Sequence, residues 1–386
     1  MIIRFLVFIF ICFLSACSSI TGVGKDNLPE PSALPEFNFE FKPNLMWSQT
    51  AGVGADGLYL KLSPAMANRH IFTIDAHGQA CSFDKDTGHA AWCQALKTRA
   101  TTGVVVKEGQ VFFGTQDGLV YALDETNGRV LWSTSVDNQL LAAPYVSSNR
   151  VFAKTLDGNV YALDKKTGVF VWKYEHGSPL YLLRDMSVPQ LAGHRVIVGF
   201  ADGKLAAYSE DKGELLWERT IAEPESKRNF IDRFVDISAS PILDQSTIYV
   251  VTYQGNFSAI DLRTGAIVWE RPFSSYAGMV LTPKYLIVSD AQSVIWALDR
   301  QTGKEVWKQE KLKFRDITGP ALQNNKYIIV GDKEGYLHWL NVGNGSFVSR
   351  MRIKDDAILA TPLVDHHQVY LLTQKGVVAS ISSVGN

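Results

Sequence analysis

The sequence predicts an all-β fold, an eight-bladed β-propeller of four-stranded antiparallel blades, and three observations carry that prediction. One phrase recurs: DKDTGHAAW from Asp84, DETNGRVLW from Asp124, DKKTGVFVW from Asp164, DLRTGAIVW from Asp261 and DRQTGKEVW from Asp299. With looser copies at Ser209 and Asn341 the period is about 40 residues, the length of a four-stranded blade. Two counts of blades also agree. Eight markers precede a first strand: Pro64, Gly103, Pro144, Pro189, Pro241, Pro283, Pro320 and Pro362. Seven fourth strands close at Trp92, Trp132, Trp172, Trp217, Trp269, Trp307 and Ser349, and NLMWSQT with Trp47 supplies the eighth. Finally, the last unit (ATPLVDHH, QVYLLTQKG, VVASIS) holds three strands and lacks a fourth. The N-terminal strand is therefore expected to pair with the C-terminal blade, removing the open ends of a linear array.

The elements follow in chain order. Arg4 and the apolar residues 5–13 lead into Leu14-Ser15-Ala16-Cys17. The apolar run is shorter than the ~20 residues a membrane-spanning helix needs, so residues 1–16 read as a signal peptide. Leu-Ser-Ala-Cys resembles the lipobox of bacterial lipoproteins, which makes Cys17 the expected lipidation site. Ser18 follows it, and by the same resemblance the destination is the outer membrane. Residues 17–43 carry Pro29, Pro31, Pro35 and Pro43 without periodicity and read as a flexible tether, leaving 44–386 as the propeller.

Within the repeats, alternation in LVYALD and SVIWALD fits half-buried strands, and QDG, LDG and ADG suit tight hairpins. In the phrase, Asp can accept hydrogen bonds from following amides and Gly supplies positive φ. The closing residues Trp47, Trp92, Trp132, Trp172, Trp217, Trp269 and Trp307 are expected to pack between blades, burying roughly 150–250 Å² each. A catalytic constellation is seldom copied around a ring, so the phrase reads as scaffold. Cys81 and Cys93 flank one phrase turn and can face each other; a disulfide and two buried free thiols both remain open.

Composition excludes little but excludes something. Formal net charge is −1 with no long basic run, which argues against a nucleic-acid partner. GVGADG at residues 52–57 matches a dinucleotide fingerprint, yet the strand-like LYLKLSPAM follows where a helix is needed. No GxxxxGK[ST], HExxH, GxSxG or EF-hand loop is present. His366 and His367 are consecutive and on a strand would face opposite sides. No catalytic residue, metal site or cofactor is expected.

Function is sought where the ring departs from its own pattern. The gap from closing Trp to next marker is usually eleven to fourteen residues, but 17 from Trp172 to Pro189 and 24 from Trp217 to Pro241. Both long links flank the fourth blade and are expected side by side on one rim. The first holds Tyr181, Leu182, Leu183 and Arg184; the second holds Phe230, Ile231, Arg233, Phe234 and Asp236. Aromatic, Leu and Arg residues among charges have the composition of a protein-binding hot spot. The alternative is that the apolar residues fold back as packing.

The chain resembles the BamB family, outer-membrane lipoproteins of the β-barrel assembly machinery, along nearly its whole length. The lipobox, the eight repeats, LYLLRDMSVP, FIDRFVDISASP, YQGNFSAIDLRTGAIVW and GDKEGYLHWLNVGNGSF carry the likeness. The resemblance implies a non-enzymatic, lipid-anchored subunit at the periplasmic face of the outer membrane. It also implies binding to the periplasmic POTRA domains of BamA and other subunits, and help in delivering unfolded outer membrane β-barrel proteins. In that family a Leu-x-Leu-Arg loop and an Asp-rich segment carry BamA binding. Leu183, Arg184 and Asp236 match here, while Tyr181 replaces the first Leu and Ser238 stands where a second Asp is usual. The repeat also resembles that of the PQQ quinoprotein dehydrogenases, which usually carry an adjacent Cys-Cys pair; Cys81 and Cys93 are twelve apart. A quinoprotein oxidoreductase or a small-ligand-binding propeller is therefore the second reading.

Overall fold

The computed structural model describes residues 29–177, 186–223 and 234–383. The chain divides into a leading unit, Met1–Pro31, and a body, Ser32–Asn386. Only residues 29–31 of the leading unit are described, and they form no regular element.

The body is a ring of eight four-stranded sheets, each antiparallel between neighbours. Blades one to seven occupy residues 65–95, 105–135, 145–174, 190–220, 242–273, 278–309 and 321–352. Blade eight combines 363–382 with the N-terminal strand Asn44–Thr50, which pairs antiparallel with Val377–Ser382. The N-terminal strand and the last repeat thus close one sheet, as the deficit of one strand in that repeat predicted. One marker is displaced. The first strand of blade six is Gly278–Leu281, so Pro283 lies in the turn after it. Ala277 occupies the place that Pro holds in most other blades.

Burial explains the strand composition. Second strands such as RVFAK and third strands such as VYALD are almost wholly buried, because blades press face to face. The core is a set of wedges between blades rather than one central mass. At the junction of blades three and four, Phe152, Val160, Ala162 and Trp172 pack against Val196, Val198, Phe200 and Tyr208. Fourth strands lie outermost and expose apolar pairs such as Val130/Leu131, Leu215/Leu216 and Ile267/Val268. Each is bulged just before its closing position, a Trp in seven blades and Ser349 in blade seven: in blade three Ala162 faces Trp172 and Leu163 faces Phe170, leaving Val171 as the extra residue. Bulges distort the free edge and oppose edge-to-edge aggregation.

The repeated phrase has a double geometry. Within its own turn, the Asp164 carboxylate accepts from Lys166 N at 3.1 Å, Thr167 N at 2.9 Å and Thr167 Oγ1 at 2.8 Å. These bonds hold its pKa below the ordinary carboxylate value. Between blades, the same turn receives the Trp of the preceding blade. Trp132 Nε1–H donates to the Lys165 carbonyl at 3.0 Å, Trp92 to Glu125 at 2.9 Å, and Trp172 to Glu210 at 2.8 Å. Trp217 donates to Leu262, Trp269 to Arg300 and Trp307 to Val342 in the same manner. Trp47 donates to Lys85 at 2.9 Å and so locks blade eight onto blade one. In every case the acceptor is the residue after the first of the phrase, and the phrase Gly lies flat against the indole. A Cβ on Gly168 would sit 2.6 Å from the Trp132 ring. The turn is a socket and the Trp its plug.

Cys81 and Cys93 face each other on the third and fourth strands of blade one and are joined by a disulfide, with Cα atoms 4.1 Å apart. Of the two sequence alternatives, free thiols and a bridge, the structure has the bridge. It closes a short loop, and Cys81→Ser with Cys93→Ser is expected to lower stability by about 2–3 kcal/mol. Urea unfolding of the double variant against the oxidised parent checks this.

Residues 32–43 differ from the expected flexible tether. They lie along blade seven, because three Phe at alternate positions, FNFEF, give that stretch a strand-like apolar face. Phe37 stacks on Phe347 with centroids 5.4 Å apart, and Phe41 packs edge-on to Trp339 at 6.0 Å. Beneath this strap is a buried polar cluster. Arg315 Nε donates to Asp332 Oδ2 at 2.8 Å, and His338 Nε2 lies 3.0 Å from the same oxygen.

His338 is fully buried, and its Nδ1 has no hydrogen-bond partner. Burial pushes its pKa below 6.5, outweighing the opposing hydrogen bond and charge of Asp332, while Arg315 and Arg350 push the same way as burial. The unfolded chain therefore binds a proton near pH 6.5 that the folded chain refuses, so stability falls as pH drops below 6.5. The loss reaches at most about 1.4 kcal/mol one unit lower. Thermal unfolding at pH 7.5 and 5.5 should show a smaller drop for His338→Gln than for the parent.

Candidate functional site

The links between blades and the turns between second and third strands share one face. Link residues hydrogen-bond these turns directly, as in Val136 N to Gly118 O at 2.8 Å and Ile221 N to Gly203 O at 2.9 Å. The described ends of the two long links flanking blade four lie on this face, with Ile221 N bonded to Gly203 O and His176 beside Asp202. Of the residues singled out there, Tyr181, Leu182, Leu183, Arg184 and Arg233 lie outside the described residues, as does Cys17. The bases of both links are described, and they meet: Val188 N donates to Ser240 Oγ at 3.0 Å. The sequence expectation of neighbouring links therefore holds at their roots.

Asp236 was expected among the partner-binding residues, and in the structure its side chain is buried. It is 1% exposed, and its Oδ2 accepts from Ser238 Oγ at 2.7 Å. Its carbonyl accepts from Tyr253 N at 2.8 Å, and Ile237 N donates to the Phe200 carbonyl at 3.1 Å. Residues 234–240 thus run between the second-to-third turns of blades four and five. The space for them comes from Gly199, where a Cβ would lie 2.4 Å from Ile237 Cγ2. Asp236 positions the link from inside and does not offer its carboxylate to solvent. Ser238, in place of a second carboxylate, supplies the hydroxyl that pairs with it.

Sequence reasoning passed over His176, five residues before Tyr181, the first residue singled out in the first link. Its ring stacks on Phe200 at 3.7 Å, its Nε2 lies 3.0 Å from Asp202 Oδ2, and its Nδ1 lies 3.6 Å from Glu218. Lys204 Nζ reaches Glu218 at 3.2 Å and Asp202 at 3.7 Å. Burial would raise the Asp202 pKa, but His176 and Lys204 outweigh it and hold the carboxylate below its ordinary value. This charged network is a firm footing for the first link. The only sequence signal was an isolated His at a strand end.

The Gly-rich link at 51–64 reaches across the ring. Lys61 Nζ donates to the Tyr276 carbonyl at 3.0 Å, and Tyr59 and Tyr276 hydroxyls both approach Asp316 Oδ1, at 3.5 and 3.2 Å. Near the axis a cavity of about 370 Å³ is lined largely by small residues, among them Ser63, Gly103, Ala143, Ser240 and Gly319. The Cys81–Cys93 bridge stands on the two outer strands of blade one and does not line this cavity. Among the described residues, no group of three or more His, Cys, Asp or Glu side chains is placed to hold a metal ion.

Comparison with known proteins agrees with this geometry. The family model described as "Outer membrane protein assembly factor BamB" matches residues 76–309. A Legionella pneumophila protein named outer membrane protein assembly factor BamB is 42% identical over 383 residues, covering 98% of this chain and 99% of that protein. The crystal structure of BamB from Moraxella catarrhalis superposes with a TM-score of 0.79 at 26% identity, over 88% of this chain and 99% of that one. A quinohemoprotein alcohol dehydrogenase from Comamonas testosteroni reaches a TM-score of 0.72 at 13% identity, over 89% and 77%. At that identity the likeness is one of fold alone.

Proposed function

This chain belongs to the BamB family of outer membrane protein assembly factors, and from that premise we propose that it is a non-enzymatic scaffold. It assists outer membrane protein assembly by presenting the two long links beside blade four to the periplasmic POTRA domains of BamA. The observation that carries this reading is the pairing of those links. They are the two longest departures from the repeat apart from the axis-crossing link, and they are rooted together through Val188 and Ser240 on one face of a locked ring.

Leu183 and Arg184 supply the contact, and Tyr181 and Leu182 extend it. Arg233 and the link held by Asp236 form the second half. A lipid on Cys17 keeps the ring at the periplasmic face of the outer membrane, each buried CH₂ of its acyl chains contributing about 0.8 kcal/mol. Ser32, where the body begins, bonds to the link between blades six and seven on the same face as the long links. Unfolded barrel segments are the cargo. Apolar pairs on the bulged outer strands, such as Leu215/Leu216, give them places to rest.

A pull-down of the tagged full-length protein from solubilised outer membrane tests the reading. Co-purification of BamA is the expected result. A chain that returns no assembly subunit but carries a bound quinone would transfer the argument to the oxidoreductase reading.

A further inference from the structure

Seven junctions of the ring carry a Trp seated in the phrase turn of the next blade. The junction of blades seven and eight cannot. The place of the plug is taken by Ser349, and blade eight has no phrase turn to act as the socket, because its third strand, Val377–Ser382, pairs with Asn44–Thr50 instead of with a strand that follows it in sequence. Its fourth strand comes from the other end of the chain, so no turn joins the two.

We propose that the strap at residues 32–41 is the eighth lock, a segment from outside the repeats that closes the one junction the repeat leaves open. Its contacts fall where the lock is missing. Ser349, standing in the plug position, donates its hydroxyl to the Phe41 carbonyl at 2.8 Å. Glu40 N donates to the Val348 carbonyl at 2.9 Å. The Phe41 ring joins the apolar wedge that contains Trp339 and Val348 from blade seven and Val369, Leu371 and Ile381 from blade eight. Farther up the strap, Arg350 Nη1 donates to the Pro35 carbonyl at 3.2 Å, and its guanidinium lies 5.4 Å from the Phe37 centroid. Ser32 is held at both of its backbone polar groups: its N–H donates to the Lys313 carbonyl at 2.9 Å, and its carbonyl accepts from Arg315 Nη1 at 3.0 Å. Strap docking and closure of the last junction are then one event. It joins residues some 310 positions apart in sequence (Phe41 and Ser349), and it is complete only when the last blades have been made.

Hydrogen exchange on the full chain tests the proposal, comparing the parent with Phe37→Ala/Phe41→Ala and with Asn38→Ala, an exposed strap residue, as control. Loss of the lock predicts exchange at least ~10-fold faster in Phe347–Arg352, Gln368–Leu372, Val377–Ser382 and Asn44–Thr50, the equivalent of about 1.4 kcal/mol. Blades two to five should keep the parent's rates, and Asn38→Ala should resemble the parent. Faster exchange confined to residues 32–41, with blades seven and eight unchanged, would overturn the proposal and make the strap a passenger. Should the double variant fail to fold, Arg350→Gln loosens the strap while sparing the apolar wedge. The same pattern at smaller amplitude is expected, and parental rates in both blades would again overturn it.

Discussion

Gly168→Val is expected to destabilise the ring by roughly 3 kcal/mol or more, through two causes that act together. Its φ is +71°, a region β-branched side chains avoid, so the backbone alone resists the change. The added carbons would also enter the face of Trp132, whose Cδ2 and Cε3 lie 2.6 Å from a Cβ built there, with Thr134 Oγ1 at 2.8 Å. Trp132→Ala removes the plug instead. It opens a cavity and strands the Lys165 carbonyl, a change that costs about 3–5 kcal/mol for a buried aromatic. If socket and plug are one device, the costs are not additive. Gly168→Ala should be expensive in the parent but in the Trp132→Ala background should retain only its φ penalty. Urea midpoints for the four corners of that cycle measure the coupling; strictly additive midpoints would mean that the turn and the indole merely lie near each other.

Arg315→Ala is expected to cost a similar amount, about 3–5 kcal/mol, because it leaves a buried carboxylate without its cation. The Asp332 side chain is 0% exposed and that of Arg315 is 3% exposed. Burial would raise the Asp332 pKa, yet His338 and Arg315 together hold it below the ordinary value, so the pair is ionised near neutral pH. Arg315→Lys should not rescue fully, since one ammonium cannot serve Asp332, Glu334 and the Ser32 carbonyl from the positions the guanidinium fork occupies. Arg315→Met combined with Asp332→Asn should recover part of the loss by removing the uncompensated charge. Thermal midpoints of these variants at pH 7.5 decide the matter.

What was legible in the sequence follows from symmetry. A phrase copied around a ring announces its period, and the deficit of one strand in the last repeat announces where the ends meet. The acceptors for the Trp plugs were not legible, because a backbone carbonyl has no residue identity: Lys165, Glu210 and Leu262 play one part with three unrelated side chains. The strap was misread because four Pro outweighed the alternation in FNFEF, although that alternation is the signal that fits an extended segment to a blade edge. Pro283 misled as a marker because the sixth blade starts its first strand without one. Asp236 matched a motif but not an exposure, since nothing in a string of residues separates a carboxylate that meets a partner from one that holds a link in place. His176 and the link carrying Tyr59 and Lys61 depend on contacts far apart in sequence, to which local pattern is blind.

The proposed role has the links beside blade four of a locked ring grip another protein. Its most direct test is the affinity of the purified full-length protein for isolated BamA POTRA domains, with circular dichroism confirming an intact fold in every variant. Truncating a hot-spot side chain costs about 2 kcal/mol or more, so Leu183→Ala and Arg184→Ala should each weaken Kd by roughly 30-fold, and Lys212→Ala, on the opposite face, should leave it unchanged. Parental affinity in both link variants would contradict the account.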